Sequence, residues 1–118
     1  PSLMVSAGAS YAARWTTTHG GQLKEAMKKA LTTKGFAFVE AVSPCPTAFG
    51  RRAGFKNVAE ITRWFRENSL PLEETEKMSA EDLRKKIVVG EYVCRKIPTL
   101  TEAVYRTIRE AEKSAKAK

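Results

Sequence analysis

Cys45 stands in Ser43-Pro44-Cys45-Pro46-Thr47, a thiol between two prolines directly after the apolar run Phe36 to Val42. Proline fixes its own φ and drives the residue before it into extended backbone, so Cys45 is held on a stiff turn. The end of a strand is where open α/β sheets gather their ligands. A thiol in that position has three uses: metal ligand, nucleophile or small buried hydrophobe. Zinc and iron–sulfur clusters normally take four ligands, and Cys94 lies on a different predicted strand. As a metal ligand Cys45 therefore needs partners from outside this chain. As a nucleophile it needs a base, for which His19, the only histidine, is the candidate. The residues alone leave these three readings open.

The remaining polar candidates are less specific. His19 falls at a helix start, where the helix dipole disfavours imidazolium, and a surface or capping role is its plainer reading. Arg51-Arg52 is the one basic pair beside the cysteine turn. It can grip a carboxylate or a phosphate, or simply be a solvated loop. Trp15 and Trp64 are single aromatics, expected in a core or an interface rather than as stacking platforms. There is no GxGxxG, Walker loop, CxxC or HExxH in the sequence.

These residues need elements to position them. Tyr11 to Thr16 reads as a strand. Thr17-Thr18 offers an N-cap for a helix from about His19 to Lys34, whose apolar positions Leu23, Ala26, Met27, Ala30 and Leu31 form one face meant for burial. Gly20-Gly21 weakens its first turn, and Gly35 is placed to stop it. Phe36 to Val42, continuously apolar except for Glu40, has the pattern of a strand buried on both faces. Strand, helix and strand make a βαβ unit with a right-handed crossover, ending in the Cys45 turn.

Beyond it, Gly50, Arg51, Arg52 and Gly54 mark a loop over 48–56. Asn57-x-x-Glu60 resembles a capping box and opens a helix to about Ser69, with Val58, Ile61, Trp64 and Phe65 as its apolar side. Pro71 ends it, and Leu72 to Lys77 reads as loop. Ser79-x-x-Asp82 caps a short turn, Lys86 to Arg95 is a further strand, and Thr99-x-x-Glu102 caps a last helix over 99–115 with Leu100, Val104, Ile108 and Ala111 inward. The expected organisation is a single α/β unit over 1–118, with a βαβ core over 1–47 and an extension over 48–118, on a mainly parallel sheet.

At 118 residues, 42% hydrophobic and 29% charged, the chain is one domain or a piece of one. No apolar run reaches membrane-spanning length. Two cysteines make no disulfide framework and suit a reducing, cytoplasmic setting. The net charge of +8 invites a nucleic-acid partner. The cations, however, are spread over the outer face of the first helix (Lys24, Lys28, Lys29) and a lysine-rich tail, Lys113 to Lys118, expected to fray. A basic surface that docks an acidic protein fits equally well. Leu3-Met4-Val5 leads into Ala7-Gly8-Ala9 with no helix start and no initiator methionine, so the chain is expected to begin partway through a longer sequence. Pro1 to Met4 does not have the pattern of a signal peptide.

Taken together, Ala7-Gly8-Ala9-Ser10-Tyr11-Ala12-Ala13-Arg14, Thr16-Thr17-Thr18-His19, Gln22-Leu23, Lys34 to Glu40 and Ser43 to Arg51, followed by Ile87 to Val93 and Pro98, resemble one family over nearly the whole chain. It is the thiamine-diphosphate-binding β subunit of 2-oxoacid:ferredoxin oxidoreductases, with most likeness to the 2-oxoglutarate type. The resemblance implies the C-terminal part of that subunit's fold. It implies oxidative decarboxylation of a 2-oxoacid with coenzyme A, giving an acyl-CoA and CO₂, with electrons leaving through a 4Fe–4S cluster to ferredoxin. It implies an α subunit as partner, and no nucleic acid or membrane. It makes Cys45 the fourth cluster ligand, the other three and the motif for Mg²⁺ and thiamine diphosphate lying upstream. His19 and Arg51 fall at recurrent family positions without an assigned role. Gly20-Gly21 departs from the apolar residue usual after that histidine. Cys94 has no counterpart and is expected to be structural.

Overall fold

The computed structural model describes residues 1–116. Four strands form one sheet in the order β2-β1-β4-β3. Strand β1, Tyr11–Thr16, lies in its interior. It pairs in parallel with β2, Ala37–Val42, from Tyr11 opposite Ala37 to Thr16 opposite Val42. On its other side it pairs antiparallel with β4, Ile87–Cys94, through a bulge after Ala12. A short β3, Ser69–Pro71, joins β4 in parallel. Two of the three pairings are parallel, so the sheet is α/β, mixed and mostly parallel.

Helix α2, Gly20–Thr32, is the connection between β1 and β2. It rests on the sheet through Ala26, which joins Tyr11 and Ala13 in the core with Trp15, Ala30, Ala37 and Val39 around them. The expected five-residue face is wider than the face buried. Leu31 is 87% exposed and Met27 45% exposed, because small alanines make the closest approach to the sheet. A polar clamp adds to this packing. Lys29 Nζ donates to Glu91 Oε2 at 2.7 Å, and the Tyr11 hydroxyl donates to Glu91 Oε1 at 2.8 Å. Burial pushes the Glu91 carboxyl up, but the hydrogen bonds from Lys29 and Tyr11 outweigh it and hold the group below its usual range. Burial and the neighbouring carboxylate raise the Tyr11 phenol.

Several expectations are corrected. Strand β2 is half-buried rather than enclosed on both faces, and among the described residues it is also an edge strand with α2 packed against it. Its one charge, Glu40, accepts from Arg14 Nε of the register partner at 2.9 Å. Thr17 and Thr18 do not cap α2. A tight turn over Thr17–His19 leads into it, and His19 occupies the cap position with no side-chain cap bond. Gly35 is not the residue that stops α2, which closes on extended Thr33. Gly35 is needed for its φ of 100° and because a Cβ there would lie 2.5 Å from Ser10 Oγ. A short helix α1, Ser2–Ser6, stands where no helix start was expected.

The second half holds more of the same kind. Helix α3, Val58–Asn68, is capped by Asn57, whose Oδ1 accepts from Glu60 N–H at 2.9 Å. It buries Ile61 and Phe65 but leaves Val58 exposed. Residues 69–71 are paired strand, and Leu72–Lys77 is a helical turn rather than loop. Helix α4, Ala80–Leu83, has its Ser79 cap as expected. The capping box of α5, Leu100–Lys116, forms, with Thr99 N–H donating to Glu102 Oε2 at 2.8 Å. Its apolar side is not inward: α5 buries no residue, and Leu100 is 82% exposed. The helix continues through Lys116, so residues 113–116 are helical; Ala117 and Lys118 lie outside the described residues.

Candidate functional site

Parallel pairing of β1 with β2 puts the segments that follow them at the same end of the sheet, since Thr16 and Val42 are opposite each other. His19 follows the first and Cys45 the second. Cys45 is exposed and free. Its backbone is extended, with φ −104° and ψ 103°, as the following proline requires. Pro46 then opens a single wide helical turn, Pro46–Gly50, closed by Gly50 N–H donating to the Cys45 carbonyl at 2.9 Å. This turn replaces the open loop expected after Cys45, and it supplies what the thiol needs. Ala48 N–H donates to Sγ at 3.4 Å, and the Thr47 hydroxyl lies 3.4 Å from Sγ. The Thr47 hydrogen bond first, then the backbone N–H groups of Ala48 and Phe49, hold the thiol down at about 7. These donors favour the thiolate, the form that binds metals and attacks electrophiles.

The turn is seated on α3. Gly50 packs against Ile61 so closely that a Cβ would lie 2.7 Å from Ile61 Cδ1. Phe49 packs at ring-centroid distances of 5.8 Å from Phe55 and 6.0 Å from Trp64, both pairs tilted. Trp64 thus supports the turn from below, and Trp15 borders the sheet core, as expected of both. Thr47, Ala48 and Phe49 belong to the motif that carries the resemblance but had no role assigned from sequence; the available signal was Pro46 directly after Cys45, the N1 proline of a turn for which Cys45 is the cap.

His19 is held by hydroxyls. Fully buried Thr16 places its Oγ1 2.7 Å from His19 Nδ1 and 2.7 Å from Thr18 Oγ1. The Trp15 ring centroid is 5.8 Å from the imidazole. No hydrogen bond joins His19 to Cys45 among the described residues, so the base required by the nucleophile reading is not in place. Arg51 and Arg52 follow the turn and are exposed. Cys94 is at the far end of the sheet, opposite Tyr11. It is exposed and free, not structural in the sense of a core residue, and lines a cavity of about 620 Å³ with Lys34, Arg95 and Ile97.

Among the described residues no group of three or more His, Cys, Asp or Glu is placed to hold a metal ion, and no helix is long and apolar enough to cross a membrane. Cys45, exposed, donor-stabilised and rigidly presented, could serve as one ligand of a thiolate-binding group.

No protein-family model matches the chain. Curated proteins do. Over 108 residues, 92% of this chain, it is 44% identical to the 2-oxoglutarate synthase subunit KorB of Methanothermobacter thermautotrophicus, of which the match covers 38%. It is 42% identical over the same length to KorB of Methanocaldococcus jannaschii, covering 40% of that protein, and 41% identical to KorB of Methanothermobacter marburgensis. The chain thus spans about 38–40% of the length of the curated relatives it matches.

Proposed function

We propose that this chain is part of the β subunit of a 2-oxoacid:ferredoxin oxidoreductase acting on 2-oxoglutarate, and that Cys45 is a ligand of its 4Fe–4S cluster. The observation that carries the reading is a 41–44% identity to 2-oxoglutarate synthase subunits that runs through 92% of the chain. The geometry of Cys45 supports the finer assignment. Cluster sulfur ligands are thiolates, and hydrogen bonds to them tune the centre. Cys45 is exposed, its thiol is held at about 7, and its Sγ accepts from Ala48 N–H.

In this reading Cys45 supplies one of four ligands, and the other three belong to the rest of the subunit. The same holds for the groups that bind Mg²⁺ and thiamine diphosphate, because the described residues carry no phosphate-cradling glycine motif. When bound, thiamine diphosphate supplies the carbanion chemistry of decarboxylation and the cluster supplies one-electron transfer. This chain's own contributions are mechanical and electrostatic. The Pro44–Pro46 frame and the Ile61 seat fix where the sulfur stands. Thr47 and Ala48 stabilise its charge. The hydroxyl-anchored His19 borders the same end of the sheet. The α subunit, coenzyme A and ferredoxin are the expected partners, and the cytoplasm the expected compartment.

The test uses the full-length β subunit assembled with its α partner. Reduction of methyl viologen should require 2-oxoglutarate and coenzyme A together, with release of CO₂. An assembled, cluster-loaded enzyme that fails to reduce the dye when given 2-oxoglutarate and coenzyme A would sink the assignment.

A further inference from the structure

Between Glu40 and Glu60 the chain has no carboxylate, yet this stretch carries Arg51, Arg52 and Lys56. All three are exposed, and none enters an ion pair among the described residues. Glu60, the nearest acid downstream, is occupied at the start of α3, where its Oε2 accepts from Lys56 N–H at 2.8 Å. The cations lie on the chain segment that leaves the Cys45 turn, tied back to it by Phe55 N–H donating to the Gly50 carbonyl at 3.0 Å. Phe49, in the turn itself, is 40% exposed although its ring packs, tilted, against Phe55 and Trp64.

Unpaired cations on the segment that follows a partly exposed aromatic have the composition of a docking rim: an anchor that can be desolvated, with charges close in sequence that steer encounter. Charge complementarity selects an acidic occupant. We propose that Phe49, Arg51, Arg52 and Lys56 form the docking face for an acidic, cluster-bearing one-electron carrier protein. The proposal rests on the functional reading above and names the surface where that partner sits. A nucleic acid is the poorer occupant, because its binding rests on neutralising a run of phosphates and this short segment offers three cations.

The test measures binding to the full-length β subunit with its α partner, by surface plasmon resonance with a purified acidic ferredoxin as the probe. Wild-type affinity should fall steeply between about 50 and about 300 mM NaCl. R51E/R52E should weaken binding about tenfold or more at low salt and flatten that dependence. R51K/R52K, which keeps the charge, and K24E/K28E, on the outer face of α2, should stay within about twofold of wild type, as expected for distant or conserved surface charge. Methyl viologen reduction by R51E/R52E should match wild type. Unchanged ferredoxin affinity in R51E/R52E, or equal weakening in K24E/K28E, would overturn the proposal. So would loss of viologen reduction in R51E/R52E, which would make the arginines part of the redox site's framework. An RNA oligonucleotide that lost affinity by the same factor would reassign the face to nucleic acid. A wild-type enzyme that binds ferredoxin through these arginines but never reduces viologen would contradict the functional reading and leave the docking face standing.

Discussion

Thr47, Ala48 and Phe49 change what Cys45 is. An exposed thiol without them would sit in the ordinary range near 8.5; with them it is held at about 7. In cluster-free protein carrying Cys94→Ser, the rate of Cys45 alkylation by iodoacetamide should therefore rise with pH to a plateau with its midpoint near 7. Thr47→Val removes the leading donor and should move that midpoint upward. A midpoint in the free-thiol range for the parent protein would show that the donors do not act on the sulfur. The sign for stability follows the same direction. A thiol with a depressed folded value favours the fold most above its unfolded range, and that contribution fades as pH falls through about 7. At this scale much was legible in the sequence: two prolines around a cysteine dictate a rigid, extended setting whatever the fold. The role of Thr47 was not, because it depends on the wide turn that follows, and nothing in Pro46-Thr47-Ala48-Phe49-Gly50 announces a turn closed five residues apart.

At the scale of elements, local signals were reliable where they were covalent or one turn long. Strand β1 lies over Tyr11–Thr16 as expected, and the caps at Asn57, Ser79 and Thr99 all form. What failed depends on neighbours. Burial of β2 was over-read because a run of apolar residues does not reveal what covers each face of a strand. Residues 69–71 were missed as strand because a three-residue element ending in proline is made by its partner β4, not by its own propensity. The seat of the cysteine turn is likewise a tertiary property. Gly50→Ala should be destabilising by about 1–3 kcal/mol, since the new Cβ must displace Ile61 from a well-packed contact. Asn57→Ala should cost about 1 kcal/mol through loss of the cap on the helix that carries Ile61. Urea denaturation of both variants checks the values; a neutral Gly50→Ala would mean that α3 does not hold the turn closely.

For the whole molecule, the described residues extend 74 Å along one axis and 29 and 24 Å along the others. Helix α5, 17 residues and hence about 26 Å long, buries no side chain. Its sequence is amphipathic, but the inward assignment of Leu100, Val104, Ile108 and Ala111 failed, because an apolar stripe does not contain the surface it would face. Ile108→Ala should therefore change the stability of this chain by less than about 0.5 kcal/mol, as at other exposed sites, whereas Ile61→Ala should cost about 2–5 kcal/mol. Equal costs at the two positions would show that α5 is packed after all.

The central claim is that Cys45 binds the cluster, and iron content tests it most directly. In the full-length β subunit assembled with its α partner, Cys45→Ala should retain the circular dichroism of the parent while losing the broad cluster absorbance near 400 nm and its four irons per cluster, in keeping with a Cys₄ site. A folded Cys45→Ala enzyme with the cluster intact would contradict the account.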